Sequence, residues 1–172
     1  ELSDTTKRIS NLVEAVKSYS QLDRAGRQQF DVREGLESTL VMLSPKLKNV
    51  RITREYGDTP PIGGYPAEMN QVWTNLIDNA VDAMDGTGTL RISTSVVDGF
   101  VQVDIADSGT GIPADVLERI FEPFFTTKDV GKGTGLGLDI SRRIVVDRHG
   151  GQISFDSTPQ GTTAHVRLPL GG

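Results

Sequence analysis

Two asparagines one helical turn apart, Asn75 and Asn79, stand in NLIDNAVDAM (75 to 84), and further on Asp107 opens DSGTGIP (107 to 113). An amide oxygen is a hard, uncharged ligand that suits Mg²⁺, an ion that keeps several waters and takes its remaining oxygens from nucleotide phosphates. A carboxylate at a strand end accepts a hydrogen bond from an exocyclic amine such as that of adenine, and disfavours a base that offers only acceptors there. Gly109 and Gly111 let the backbone pass close to a flat ligand without a side chain in the way. The third element is GKGTGLGL (131 to 138), which follows FEPFFTTK (121 to 128). It fails as a dinucleotide fingerprint, because the third glycine is replaced by Leu136 in one frame and Leu138 in the other. It fails as a P-loop as well, with Thr126 where the first glycine belongs and Gly133 where the hydroxyl belongs. Gly133, Gly135 and Gly137 instead alternate where a helix begins, and the free N–H groups of a helix N-terminus bind anions without a P-loop. Lys128 and Lys132 add charge at such phosphates.

These residues need elements to hold them. On a helical wheel Val72, Trp73, Leu76, Ile77, Ala80, Val81 and Met84 fill one half, while Gln71, Asn75, Asp78, Asn79 and Asp82 fill the other. The apolar half faces a sheet; the polar half carries no lysine and two mediocre helix formers. Pro66 opens this helix and Asp85-Gly86 closes it. Leu90 to Val97 and Phe100 to Ala106 alternate as strands around Asp98-Gly99, a two-residue hairpin signal, and Gln152 to Asp156 with Thr162 to Leu168 form a last hairpin. Asp31 and Glu34 read as a capping box for a helix ended by Pro45, followed by a strand from Val50 to Tyr56 and a loop GDTPPIGG. Pro113 opens a short helix to about Ile120, and Gly135 to Arg148 reads as one helix, with Gly150 near its C-terminal cap. The expected fold is a two-layer α/β sandwich: a mixed, mostly antiparallel sheet with helices on one face, not a doubly wound one. Residues 2 to 24 carry Leu2, Ile9, Leu12, Val16 and Tyr19 at heptad positions, the pattern of a helix from a hairpin or dimer bundle, and the boundary falls near Gly26.

The chain has 172 residues, 36% hydrophobic and 24% charged, with a net charge of −5. That suits one α/β domain with an appendage, and disfavours a general nucleic-acid surface. Zero cysteines exclude disulfides and thiolate metal sites. No run approaches 18 apolar residues, so no membrane segment is expected within the chain. Its start at Glu1 in mid-pattern points to a piece of something longer.

NLIDNAVDAM, DSGTGIP, FEPFFTTK and GTGLGL resemble, in order and spacing, the four sequence boxes of the sensor histidine kinase catalytic domain, whose Bergerat-type ATPase fold is shared with gyrase-type clamps, Hsp90-like chaperones and mismatch-repair ATPases. The likeness runs over about residues 31 to 170, and FEPFFTTK looks most like the nitrogen-regulation branch. The resemblance implies ATP and Mg²⁺, with Asn79 as the metal ligand and Asp107 as the adenine-reading carboxylate. Gly109, Gly111 and Ile112 would shape the base pocket, with Thr162 completing a water-bridged contact. Lys132, Gly133, Thr134, Gly135, Leu136, Gly137 and Leu138 would form the phosphate-wrapping lid and helix start. Asn75 and Lys128 would lie at the transferring phosphoryl group. Asn75 stands where the clamp ATPases carry a water-activating glutamate; an amide cannot be that base, which favours transfer to a protein nucleophile over hydrolysis. Asp82 stands where many members carry a lysine, and is counted with the nucleotide site. Residues 1 to 26 would be the second helix of a dimerisation and phosphoacceptor hairpin and 27 to 172 the catalytic domain, cytoplasmic, with a response regulator and a second copy of the chain as partners. His149 and His165 read as structural, so the acceptor histidine is expected outside this chain. An anti-sigma-type serine kinase and a purely regulatory nucleotide-binding module remain as alternatives.

Overall fold

The computed structural model describes residues 26–122 and 137–171. The expected helix over 2 to 24 and the lid with Lys128, Lys132, Gly133, Thr134, Gly135 and Leu136 lie outside the described residues. Five strands form the main sheet: β2 (Asn49–Tyr56), β4 (Thr87–Val97), β5 (Phe100–Asp107), β6 (Gln152–Thr158) and β7 (Gly161–Pro169), in the order β2-β4-β5-β7-β6. Only the β2–β4 pair is parallel. The sheet is therefore mixed and mostly antiparallel, as the interleaving of hairpins and helices implies. Asp98 and Gly99, with φ of 51° and 83°, make the β4–β5 turn as their types predict.

One face of this sheet is apolar: Leu90 and Ile92 of β4, Val101, Val103 and Ile105 of β5, and Ala164, Val166 and Leu168 of β7 are buried. Helix α2 (Pro66–Ala83) covers it with Met69, Val72, Trp73, Leu76, Ile77, Ala80 and Val81. The wheel thus divides as expected, and its polar half is turned away from the core. Helix α1 (Val32–Met42) packs beside α2 through Val32, Leu36 and Leu40. Asp31 caps α1, accepting from the Arg33 amide at 2.9 Å. The box is incomplete, however. The Arg33 guanidinium forks onto the same carboxylate at 3.0 and 2.8 Å, where a Glu34 contact was expected. That pairing holds the Asp31 carboxyl below its usual range.

Two expectations need correction. GDTPPIGG is not all loop: β3 (Ile62–Gly64) pairs antiparallel with β1 (Gln28–Phe30) as a separate two-stranded sheet. Three-residue strands are too short for alternation to register, and the glycine-rich β3 carries no strand propensity. Gly64 is required there, because a Cβ would sit 2.4 Å from the His149 ring. The last helix is also not uniform. The short helix that Pro113 opens is α3 (Ala114–Leu117), and helix α4 (Gly137–Arg142) runs into a wide π turn over Arg143–Arg148. The wide turn suits His149: its Nδ1 lies 2.8 Å from the carbonyl of Ile144, five residues back, while Nε2 accepts from the Tyr65 amide at 3.0 Å. This pattern places the proton on Nδ1, and burial depresses the ring's pKa. His149 is thus a neutral post in the core.

The other face of the sheet is polar. His165 bridges three strands, with Nδ1 2.5 Å from Asp104 and Nε2 2.7 Å from Asp156. Burial opposes the charged ring, but the two carboxylates outweigh it and raise the pKa. A raised pKa means that stability from this group is complete below about pH 6.5 and is lost as pH rises through the higher folded-state value. His165→Gln is therefore expected to remove a stability decline that sets in above about pH 6.5, worth under about 1 kcal/mol because the pair is partly solvated. Thermal unfolding of both proteins from below to above that pH, at low and high salt, checks it.

Candidate nucleotide site

The sequence around Asp107 folds into a small polar frame. β5 delivers Asp107 half-buried at its end, and Oδ1 accepts from the amides of Gly109 at 2.9 Å and Thr162 at 3.3 Å. Burial raises the carboxyl's pKa, while the two N–H bonds pull it back. Oδ2 carries no hydrogen bond among the described residues, so one oxygen fixes the loop and the other is open. Thr162 is buried, and its hydroxyl lies 2.9 Å from that of Ser157, which accepts from the Ile112 amide at 2.6 Å. Asp107, Ile112 and Thr162 are thus brought together, with Ser157 as the member that the sequence reading missed. Its signal was available: it follows Ile153 and Phe155 on the inward-facing positions of β6, where a hydroxyl ends an apolar stripe.

Gly109 and Gly111 make close approaches within the fold itself. A Cβ on Gly109 would meet the Ala83 carbonyl at 2.6 Å, and one on Gly111, whose φ is +85°, would meet the Thr158 carbonyl at 2.1 Å. The close approach they allow is to protein backbone. They dock this loop against the end of α2 and against the β6–β7 hairpin.

Helix α2 supplies the second part. Its C-terminal end touches the Asp107 loop, where the Ser108 amide lies 3.4 Å from Met84 Sδ. Asn79 lies one turn before Ala83 and Asn75 one turn before that. At 1.5 Å per residue, the eight residues from Asn75 to Ala83 span about 12 Å. Asn75 Nδ2 donates to the Gly137 carbonyl at 3.0 Å and to Ser141 Oγ at 3.2 Å. The start of α4 is thereby held on the middle of α2, two turns back from the end that meets the Asp107 loop. Leu138 packs partly buried against the core. Asp82 is paired with Lys46 at 2.7 Å, and the same ammonium contacts Asp78. The polar half of α2 therefore does receive a lysine, from the single turn of 3-10 helix at Ser44–Leu47. Burial works against the Lys46 charge, but the two carboxylates raise its pKa overall.

The donor set tests the fit for Mg²⁺. No cluster of three or more His, Cys, Asp or Glu able to hold a metal occurs among the described residues. An ion on Asn79 would need oxygens from elsewhere, which is the arrangement for a metal bound largely by nucleotide phosphates. His149 and His165 have both ring nitrogens engaged within the fold, and neither is placed to accept a phosphoryl group.

Residues 64–172 match the model of the histidine kinase-, DNA gyrase B- and HSP90-like ATPases. The chain belongs to this ATPase family. Sensor kinase CckA of Brucella abortus is 34% identical over 186 residues, 98% of this chain and 20% of that protein. The sensory histidine kinase/phosphatase NtrB of Rhodobacter capsulatus is 31% identical over 182 residues, 97% of this chain and 50% of that protein. This chain thus spans a fifth to a half of the length of these curated relatives. The solved catalytic domain of histidine kinase ThkA superposes with a TM-score of 0.76 at 32% identity, over 83% of this chain and 95% of that one. ThkA in complex with response regulator protein TrrA superposes with 0.72 at 26% identity, over 95% and 48%. The resemblance read from the four boxes, including its nitrogen-regulation flavour, is upheld, and the mixed sheet with helices on one face is the histidine kinase catalytic fold.

Proposed function

We propose that these residues form the catalytic domain of a two-component sensor histidine kinase. It would bind ATP and pass the γ-phosphoryl group to a histidine outside this chain, for relay to a response regulator. The observation that carries the reading is the order of groups along the C-terminal half of α2: a half-buried carboxylate with one open oxygen at its end, Asn79 about one turn back, and the start of α4 held on Asn75 one turn further back. Adenine fits the first, with its amine donating to Asp107 Oδ2 and a water bridging to Thr162. Asn79 would hold Mg²⁺, which when bound offsets charge on the phosphate oxygens. Gly133, Thr134, Gly135, Leu136 and Gly137 would wrap the phosphates, with Lys128 and Lys132 contributing charge from the lid. In the transfer itself an imidazole nitrogen forms the new N–P bond, the bond from phosphorus to the β–γ bridging oxygen breaks, and ADP leaves with its electron pair. This chain's share is positioning and charge neutralisation, which dominate phosphoryl transfer. The response regulator partner, dimerisation through residues 1 to 26 and a cytoplasmic location follow from the same reading; the ThkA–TrrA complex supports the first.

The test uses a longer protein that includes the segment preceding residue 1, with labelled ATP and Mg²⁺. An acid-labile, base-stable phosphoprotein is expected, with labelling lost in Asn79→Ala. Acid-stable phosphoserine, or ATP binding with no transfer, would replace this reading with a serine kinase or a regulatory module.

A further inference from the structure

We infer that Asn75 and Ser141 form a positioning clamp that sets where the phosphate end of the nucleotide site begins, an inference that rests on the ATP reading above. The Asn75 amide spends both hydrogens on α4: one on the carbonyl of its first residue, Gly137, at 3.0 Å, the other on Ser141 Oγ, one turn on, at 3.2 Å. Ser141, with no exposed surface, donates its own hydroxyl back to the Gly137 carbonyl at 2.8 Å. On the other side, Gln71 Nε2 donates to Asn75 Oδ1 at 3.3 Å, which fixes the orientation of the amide. A flipped amide would set oxygen against the Gly137 carbonyl oxygen and nitrogen against a donor. The pair therefore has one stable arrangement, and it closes on the residue at which the glycine-rich segment enters α4.

Asn79 follows Asn75 by four residues, about 6 Å along the axis of the same helix. Tying Gly137 to Asn75 therefore fixes the root of the phosphate-binding segment about one turn from the proposed metal ligand. Asn75 has no lone pair suited to proton abstraction, and its hydrogens are already committed. It is a positioning residue rather than a group that touches the reacting atoms. Neither residue contacts Asp107, so the clamp governs the phosphate end of the site and leaves the base end alone.

The experiment compares Mg-ATP with adenosine as ligands of the 172-residue chain, using neutral variants so that no new charge faces the phosphates. A hydrogen bond is worth about 0.5–1.5 kcal/mol, and 1.4 kcal/mol is tenfold in affinity. Asn75→Leu, which removes the whole clamp, is expected to weaken Mg-ATP by about tenfold, and Ser141→Ala by about threefold. Because both act through Gly137, the double variant should stay near tenfold instead of the thirtyfold that independent sites would give. Adenosine affinity should change less than about twofold in all three. Equal losses for adenosine and Mg-ATP would mean general damage to the fold and overturn the clamp, as would full additivity or unchanged Mg-ATP binding. If the unaltered chain binds adenosine and Mg-ATP at neither end, the nucleotide reading itself fails and takes the clamp with it.

Discussion

Asp107→Ala is expected to abolish measurable ATP binding, and Asp107→Asn to weaken it while shifting base preference. The two oxygens of this carboxylate have separate duties. Oδ1 anchors the Gly109 and Thr162 amides; Oδ2 is the acceptor proposed for the adenine amine. Alanine removes both, so the loop loses its anchor as well as its reader, and a fall in Tm should accompany the loss of affinity. Asparagine can keep the anchor by turning its oxygen toward the two amides. Its NH₂ then faces the base, donor against donor. Losing a hydrogen bond to a charged group and leaving a buried donor unpaired costs about 1.5–3 kcal/mol, or roughly 10- to 100-fold in affinity. A base with a carbonyl oxygen in place of the amine, as in inosine triphosphate, should suffer no such clash. Isothermal titration of Asp107→Asn with ATP and inosine triphosphate, alongside a melting curve, reads both effects. If the ratio of the two affinities is unmoved, Asp107 does not read the base.

That separation of duties also marks what a sequence can and cannot give. The place of Asp107 at a strand end was legible from the alternation of Phe100 to Ala106 and the glycine-containing turn after it. Which oxygen is occupied was not, since that depends on Thr162, far along the chain and brought in by β5–β7 pairing. The same holds for α2. Its apolar and polar halves follow from a 3.6-residue period, and the helix buries the half the wheel assigns. Its polar half looked free of lysine only because Lys46 arrives from another element. Asp82, which stands where many family members carry a lysine, is thereby charge-paired beside the proposed Mg²⁺ ligand instead of facing the phosphates as a lone anion. Short strands and the π turn were hidden for a different reason: they are shaped by tertiary partners, Ile62 in the core and His149 beneath Gly64, and not by local preference.

Arg148→Met is expected to be among the most destabilising single changes outside the nucleotide site. Glu68 lies in the first turn of α2, and its ionisable side chain is only 1% exposed. Arg148, at the end of the π turn, forks onto it with Nε at 3.0 Å and Nη2 at 2.8 Å. The guanidinium also lies 4.2 Å from the centre of the Tyr65 ring, the residue that caps α2 and whose amide bonds His149. Removing one partner of a buried pair strands the other, at about 3–5 kcal/mol. The Arg148 side chain is 34% exposed, so water can reach the gap and the lower end of that range applies. For a chain of this size, about 3 kcal/mol corresponds to a fall in Tm of roughly 6–12 °C. The stranded charge is the cause, so Glu68→Gln combined with Arg148→Met should be more stable than Arg148→Met alone. A double variant no better than the single would place the cost in lost packing on Tyr65. The contact also completes the restraint on the last helix. Asn75 holds its beginning on one part of α2 and Glu68 holds its end on another, so the two helices are fastened at both ends. Losing Arg148 frees only the end far from Gly137, and Mg-ATP affinity at temperatures below the melt should therefore fall less than in Asn75→Leu.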